Sequence, residues 1–142
     1  MVLQSLLVKK HLAILSKEAV KRIFEGKKTV ETRFSMSKIA PFGAVSSGDL
    51  IFIKPPGQEI AGQFLVKKVI SFENLDDEDW KIIMENYGEK ISFGAKELDD
   101  KYFKAHKNAR YGTLIFISRV EQFITSPIKI AKKDLRGWMV LI

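Results

Sequence analysis

The sequence predicts an α+β fold of about six strands with flanking helices. Two observations support this fold class: three segments carry apolar residues at helical spacing, and several apolar runs rich in Val, Ile and Phe are bounded by turn residues. The length of 142 residues fits one domain, residues 1–142, and the content of 46% hydrophobic and 29% charged residues is typical of a globular protein. We find no internal repeat.

A strand and a helix open the predicted fold. The apolar segment Leu12–Leu15 reads as a short strand, and Ser16 stands where a helix N-cap belongs. Apolar residues then recur at helical spacing from Ala19 to Phe24, and Gly26 supplies the left-handed residue that commonly ends a helix. We therefore expect a helix from Ser16 to Glu25.

The segment Lys28–Phe34 is predicted to be the second strand because Thr, Val and Phe favour a pleated, half-buried environment. Val30 and Phe34 would face the core. The following stretch, Ser35–Gly48, contains Pro and several Gly and Ser residues and is long for a simple connection. We expect it to form one wall of a pocket.

Two further strands follow with a tight turn between them. Asp49–Lys54 is apolar and is closed by Pro55-Pro56-Gly57, which cannot continue a strand ladder. Gln58–Ser71 is the next strand region. Long apolar strands joined by tight turns predict antiparallel pairing.

The acidic middle of the chain predicts two helices. Apolar residues at helical spacing between residues 77 and 87 predict the first, which would end before Gly88. The second covers Asp99–His106. The candidate N-caps of the first helix are Asn74, Asp76 and Asp77.

The end of the chain returns to strands. Tyr111–Val120 is the most apolar run, so we expect it at the centre of the core and continuing towards Phe123. The segment 127–130 begins with Pro and is predicted to be an edge strand, and Trp138–Ile142 is predicted to be the last strand.

The net charge of +7 is distributed unevenly. Residues 1–71 hold 12 Lys and Arg against 5 Asp and Glu, residues 72–110 hold 7 against 10, and residues 111–142 hold 5 against 2. A basic surface attracts polyanions, with RNA or DNA the commonest, through contacts to phosphate. The alternative is a lysine-rich proteome without a nucleic-acid partner.

The residue content excludes several kinds of site. Cysteine is absent, which excludes disulfides, thiolate nucleophiles and Cys-based zinc sites. His11 and His106 are the two histidines, so a multi-histidine metal site is excluded as well. We expect no metal and no cofactor.

The sequence also bears on location. The apolar start lacks a basic leader and a small-residue cleavage site, and no apolar run approaches the roughly 20 residues that cross a bilayer. We expect a cytoplasmic protein without a membrane partner.

The face of the second strand that holds Thr29, Glu31 and Arg33 is unusual because it carries no apolar residue. Glu31 and Arg33 share this face. Lys28 has the opposite parity, so it joins them only if the turn at Gly26 bends it in; a regular strand from Gly26 would bring Lys27 instead.

Three interpretations fit a cluster of Lys28, Glu31 and Arg33. Arg binds phosphate or a base edge with two bonds, Lys neutralises phosphate, and Glu accepts from an exocyclic amine, which together suit a nucleotide. Alternatively, Glu31 acts as a general acid or base beside a lysine of lowered pKa. The third interpretation is an ion-pair cluster on an exposed sheet face.

A short motif follows the first helix and precedes a strand that opens with Gly and Asp. Its residues are Gly26, Lys28, Glu31 and Arg33. In this placement the motif resembles the signature of the ASCH domain family. The resemblance runs from the strand near Leu12 to the segment Pro127-Ile128. It implies a PUA-like fold, a mixed or antiparallel β-barrel of about six strands with flanking helices.

The resemblance also implies a function, namely a cleft that holds Lys28, Glu31 and Arg33 and binds RNA or a nucleotide. Some related proteins are hydrolases, namely amidohydrolases of acetylated cytidine and proposed ribonucleases. The amidohydrolases carry threonine where this chain has Glu31, a departure that argues against that activity. They also use a later glutamate, for which Glu85 is the nearest candidate here. We therefore expect an RNA- or nucleotide-binding domain, with a hydrolase as the alternative.

Aromatic residues and a histidine complete the candidate site. Phe42 and Tyr111 are expected near the cleft as ligand-binding residues. Trp80 and Trp138 suit base stacking, although core packing explains both. His106 would lie at the rim of a polyanion site or in an exposed turn.

Overall fold

A computed structural model of the chain describes residues 8–126 and 137–141, which form six strands and three helices. The α+β class is therefore confirmed, and the predicted edge strand at 127–130 lies outside the described residues. The helices are α1 (Lys17–Phe24), α2 (Asp77–Ile91) and α3 (Lys96–His106). The strands are β1 (Lys10–Ile14), β2 (Val30–Ser35), β3 (Leu50–Lys54), β4 (Gly62–Glu73), β5 (Tyr111–Gln122) and β6 (Trp138–Val140).

The six strands form one mixed sheet in the order β2-β5-β4-β3-β1-β6. All neighbouring pairs are antiparallel except β1 and β3, which are parallel. The sheet is therefore mixed, and β3 and β4 pair antiparallel as the tight turn between them predicts. The parallel pairing of β1 and β3 is possible because a long crossover, which includes α1 and β2, connects them.

The helices differ from their predicted bounds in two places. The α2 helix continues through Gly88 to Ile91, because a glycine inside a helix costs only about 1 kcal/mol while Ile91 is fully buried in the core. The α3 helix begins at Lys96, three residues before the predicted start at Asp99. Asp76 is the N-cap of α2 and forms a capping box with Asp79.

The β2 strand is covered on both faces. Val30 and Phe34 pack against Leu114 of β5, Ile83 of α2 and residues of α3. This contact confirms the predicted core positions of the two β2 residues. The opposite face, with Glu31 and Arg33, lies on the side of a second core that contains α1. The polar face is therefore enclosed by protein and is not an open sheet surface.

The sheet curves into a half-barrel, and Arg33 lies where its two edges approach each other. Arg33 belongs to the edge strand β2, yet its Nη2 donates a hydrogen bond of 2.7 Å to the carbonyl of Ile14 at the end of β1. Its guanidinium also lies over the ring of Trp138 in the other edge strand, β6, at 5.3 Å from the ring centroid. We call this junction of Arg33 with Ile14 and Trp138 the seam of the half-barrel, and the candidate site lies there.

Candidate functional site

The turn after α1 brings Lys28 towards the polar face of β2. Gly26 has φ of 73°, and the backbone N–H groups of Lys27 and Lys28 both donate to the carbonyl of Arg22, at 2.9 and 3.1 Å. Because β2 begins only at Val30, the alternation of strand side chains does not apply to Lys28. The turn therefore supplies the bend on which the convergence of the three charges depends.

Lys28 is a buried ammonium group enclosed by other parts of the chain. Its Nζ donates to the carbonyl of Ile91, lies 3.8 Å from Oε1 of Glu31 and stands 4.5 Å from the ring centroid of Phe93. Burial lowers the pKa of Lys28, while the carboxylates of Glu31 and Asp99 act in the opposite direction. Lys28 is thus fixed close to Glu31.

Glu31 is 3% exposed and lies between the two cationic groups. Its Oε1 accepts a hydrogen bond of 2.8 Å from the backbone N–H of Thr32. Its Oε2 lies 3.8 Å from Nη2 of Arg33, which is an ion-pair distance rather than a hydrogen bond. Within the described chain, Oε2 therefore keeps its capacity to accept a hydrogen bond.

Two cavities meet at Arg33, whose side chain is 25% exposed. The first, which we call the aromatic cavity, has a volume of about 350 Å³ and is lined by Arg33, Pro41, Phe42, Thr113 and Trp138, among others. The second, the carboxylate cavity, has a volume of about 320 Å³ and is lined by Glu31, Arg33, Phe93, Tyr102 and His106, among others. Lys28 lines neither of these two cavities and lies behind Glu31 and Phe93, which line the carboxylate cavity.

The α3 helix supplies the far wall of the carboxylate cavity. The hydroxyl of Tyr102 donates to the carbonyl of Thr32 at 3.0 Å, and burial raises the pKa of Tyr102 well above its usual value. His106 is the last residue of α3 and is half-buried, with Nδ1 donating to the carbonyl of Tyr102 at 2.7 Å. His106 thus lies at the cavity and not in an exposed turn.

A carboxylate near the start of α3 fixes the turn that carries Phe93. Asp99 accepts hydrogen bonds from the Ser92 hydroxyl at 2.6 Å and from the Phe93 backbone at 2.7 Å. Sequence reasoning interpreted Asp99 only as a helix start. Its role in the site could not be read from spacing because Phe93 meets Lys28 across the fold.

Phe42, one of the two aromatic residues predicted near the cleft, lines the aromatic cavity. Tyr111 contacts the ring of Phe42, with centroids 5.1 Å apart, but does not itself line the cavity. Thr113 is the direct cross-strand partner of Arg33, so the two side chains share one face of the sheet. The Thr113 hydroxyl is buried and has no hydrogen-bond partner among the described residues.

A buried polar chain holds Trp138 in place. The indole N–H of Trp138 donates to Nδ1 of His11 at 3.0 Å, so the imidazole proton lies on Nε2, which donates to Asp49 at 2.8 Å. The Asp49 carboxylate also accepts from the backbone N–H groups of Lys9 and Ser46. Sequence analysis did not identify this network.

The remaining predicted residues lie elsewhere. Glu85 is exposed on α2 and lines neither cavity at Arg33. Trp80 packs against Phe34 and Phe103, and Trp138 is buried in the core, so core packing is confirmed for both tryptophans. No helix in residues 8–126 and 137–141 is long and apolar enough to cross a membrane. The same residues contain no group of three or more His, Asp or Glu side chains that could hold a metal ion.

Comparisons with known proteins place this fold. The model of the ASCH domain family matches residues 14–116, well over half of the chain. The chain is similar to the crystal structure of ASCH from Zymomonas mobilis, with 19% identity, a TM-score of 0.58 and coverage of 80% of this chain and 70% of that chain. Two point variants of that protein match at 17% identity with TM-scores of 0.66 and 0.67, each covering 94% of this chain and 91% and 89% of theirs. No curated protein matches the sequence.

Proposed function

This chain belongs to the ASCH domain family, and we propose that it binds RNA or a nucleotide through Glu31 and Arg33 at the seam of the half-barrel. The observation that carries the proposal is the position of Arg33 between two cavities. Its guanidinium has five N–H donors, and among the described residues one hydrogen bond, to the Ile14 carbonyl, holds it in place. The other donors suit a phosphate or a base carbonyl.

Glu31 gives the site an acceptor beside this donor. An ionised carboxylate accepts from an exocyclic amine, such as that of cytosine. Lys28 supports this role from behind, because its ammonium group lies 3.8 Å from Oε1 and stabilises the negative charge without lining the cavity. The proposal therefore gives Glu31 and Arg33 the ligand contacts and makes Lys28 a positioning residue.

The charge distribution supports a polyanionic ligand. Residues 1–71, which contain both charged contact residues, carry 12 Lys and Arg against 5 Asp and Glu. A net positive charge attracts RNA, and contacts to phosphate make binding depend on salt. A cytoplasmic location and a single domain over residues 1–142 remain predictions from the sequence.

The test is binding of a fluorescent single-stranded RNA, followed by anisotropy at low and at physiological salt. We expect salt-dependent binding that weakens by about tenfold or more in Arg33→Gln and also falls in Glu31→Gln. Lys96→Gln is the matched control, because it removes one positive charge from a side chain that is 90% exposed and lines neither cavity. Absence of binding to RNA and to nucleotides at low salt would overturn the proposal.

A hydrolase acting on RNA or on an acylated nucleoside is the second candidate. The observation that favours it is the buried lysine of lowered pKa next to Glu31, a pairing that suits proton transfer. Incubation with RNA and with acetylated cytidine, followed by chromatography, distinguishes the two functions. Product formation that disappears in Glu31→Gln would establish a hydrolase, whereas binding without product supports a binding domain.

A further inference from the structure

The aromatic cavity is separate from the Glu31 carboxylate and has a different chemistry. We propose that it is a nucleobase pocket, which takes the planar ring of a nucleotide while Arg33 holds the phosphate. This assignment rests on the proposed function and extends it by naming the part of the ligand that lies on each side of Arg33. The volume of the aromatic cavity, about 350 Å³, is within the range of ~300–1,000 Å³ found for small-molecule sites.

Aromatic and apolar walls suit a planar heterocycle. Phe42 and Trp138 both line the cavity, together with Ile39 and Pro41. Bases stack on aromatic side chains and on the guanidinium plane of Arg, and Arg33 already lies over the Trp138 ring. A base entering this space would find a π surface on the Phe42 side and a cation–π pair on the Trp138 side.

The Trp138 wall is fixed in place. Its indole nitrogen is bonded to His11, which is bonded in turn to Asp49, and all three side chains are at most 4% exposed. A wall that is already ordered loses little conformational freedom when a ligand binds, which favours affinity. His11 and Asp49 are thus positioning residues for this cavity and do not contact the ligand.

Thr113 supplies the observation that points to a polar ring. Thr113 lines the cavity and is 1% exposed. Its hydroxyl is buried and forms no hydrogen bond with the described residues. Buried polar groups are almost always hydrogen-bonded, so this hydroxyl calls for a partner. A ring nitrogen, carbonyl or amino group of a base is such a partner.

Other ligand classes fit these residues less well. A wholly apolar ligand would bury Arg33 without satisfying its remaining donors and would leave the Thr113 hydroxyl unpaired, which is unfavourable. A small anion alone would use Arg33 but none of the aromatic surface. A nucleotide uses both, because it combines a planar polar ring with a phosphate.

The experiment uses the fluorescence of Trp138 in the intact chain. Trp80→Phe leaves Trp138 as the single tryptophan, and this change removes an indole nitrogen that has no hydrogen-bond partner within the described chain. The probes are AMP, CMP, GMP and UMP, with ribose 5-phosphate as the base-free comparison. We expect at least one monophosphate to quench Trp138 and to bind at least tenfold more tightly than ribose 5-phosphate.

Two variants locate the base. Phe42→Leu is expected to weaken binding of the preferred monophosphate about fivefold or more and to leave ribose 5-phosphate unchanged. Thr113→Val is expected to change the order of preference among the four monophosphates. Phe103→Leu, an aromatic residue in the other core, is the matched control and should change neither result.

The outcomes separate the two proposals. The base pocket would be overturned if the monophosphates and ribose 5-phosphate bind with equal affinity and Phe42→Leu does not change it. In that case, RNA binding that is lost in Arg33→Gln would still support the proposed function. If neither RNA nor any monophosphate binds, both proposals are wrong.

Discussion

Two polar clusters meet at Trp138: the Asp49–His11 pair, which holds its indole nitrogen, and the Glu31–Arg33 pair, whose guanidinium lies over its ring. In the first cluster the polar atoms are joined by hydrogen bonds of 2.8–3.0 Å. In the second cluster the charged groups face one another at 3.8 Å. Cavities adjoin the second cluster on two sides of Arg33.

This difference separates a structural network from the proposed binding site. The Asp49 carboxylate accepts from three nitrogen donors within the fold, so little of its capacity remains for a ligand. Glu31 and Arg33 are held by fewer hydrogen bonds and keep acceptor and donor capacity beside open space. Substitutions in the first cluster should therefore act on stability, and those in the second should act increasingly on binding.

The largest effect on stability is expected from Asp49→Ala. It removes the acceptor of three hydrogen bonds, of which the one from His11 is fully buried, and should lower the free energy of unfolding by about 3–5 kcal/mol, measured by urea denaturation. The matched control is Asp100→Ala, since Asp100 pairs with Lys96 on the surface and should be dispensable. A loss in Asp49→Ala no greater than in the control would show that the network does not stabilise the fold.

Lys28→Met is expected to have the next largest effect. The change leaves the Glu31 carboxylate and the Ile91 carbonyl without their buried partner, and we expect a loss of about 2–4 kcal/mol in urea unfolding. The exposed pair of Lys38 and Glu73 provides the control, Lys38→Met. Adding Glu31→Gln to Lys28→Met should recover part of the loss, because it removes the uncompensated charge; no recovery would show that the two charges are not coupled.

The pH dependence of stability should distinguish Lys28 from a surface lysine. Burial lowers its pKa in the folded protein below the value of 10.5 in the unfolded chain. Between those two values the unfolded chain binds more protons, so the free energy of unfolding should rise with pH in that window. Urea titrations from pH 7 to 10 should show this rise in the wild type relative to Lys28→Met. A constant difference between the two proteins would show that the lysine titrates normally.

Arg33→Gln should affect binding more than stability. Loss of the bond to the Ile14 carbonyl is expected to lower the free energy of unfolding by about 1–2 kcal/mol. The slope of log affinity for RNA against log salt should fall by about 1, as for the loss of one phosphate contact. An unchanged slope would place the phosphate away from Arg33.

Thr113→Val is expected to have the smallest effect on stability. Its hydroxyl is buried without a partner in the described chain, so its removal should leave the unfolding free energy unchanged or raise it by up to about 1 kcal/mol. Thr32→Val, on the neighbouring strand, should instead lower the free energy of unfolding by about 1 kcal/mol, because the Thr32 hydroxyl is hydrogen-bonded to that of Tyr102. Equal losses in both variants would show that Thr113 does have a structural partner.

The sequence predicted much of the local structure around the site. The Ser16 cap, the Gly26 turn and the period of two that sets Glu31 beside Arg33 all depend on neighbours within a few residues. Family resemblance added the expectation that Lys28 belongs with them. The helix end at Gly88 was misplaced because the burial of Ile91, a tertiary effect, outweighs the local preference of glycine.

The contacts that sequence analysis missed are those between residues distant along the chain. Trp138 meets His11 across 127 residues, and Lys28 meets the Ile91 carbonyl across 63. Asp99 resembles an ordinary acidic residue at a helix start until Phe93 is seen to depend on it. No local pattern distinguishes such residues, because their roles depend on pairing between strands and helices.

The sequence by itself determined the strand and helix segments, the polar face of β2 and the turn that releases Lys28 from strand parity, since each depends on short-range backbone preferences. Only the tertiary structure decided that this face would be enclosed, that Lys28 would stand behind Glu31 rather than in the cleft, and that Arg33 would divide two cavities. The physical reason is the curvature of the sheet, which brings β2 close to β1 and β6 although they stand at opposite sides of the strand order.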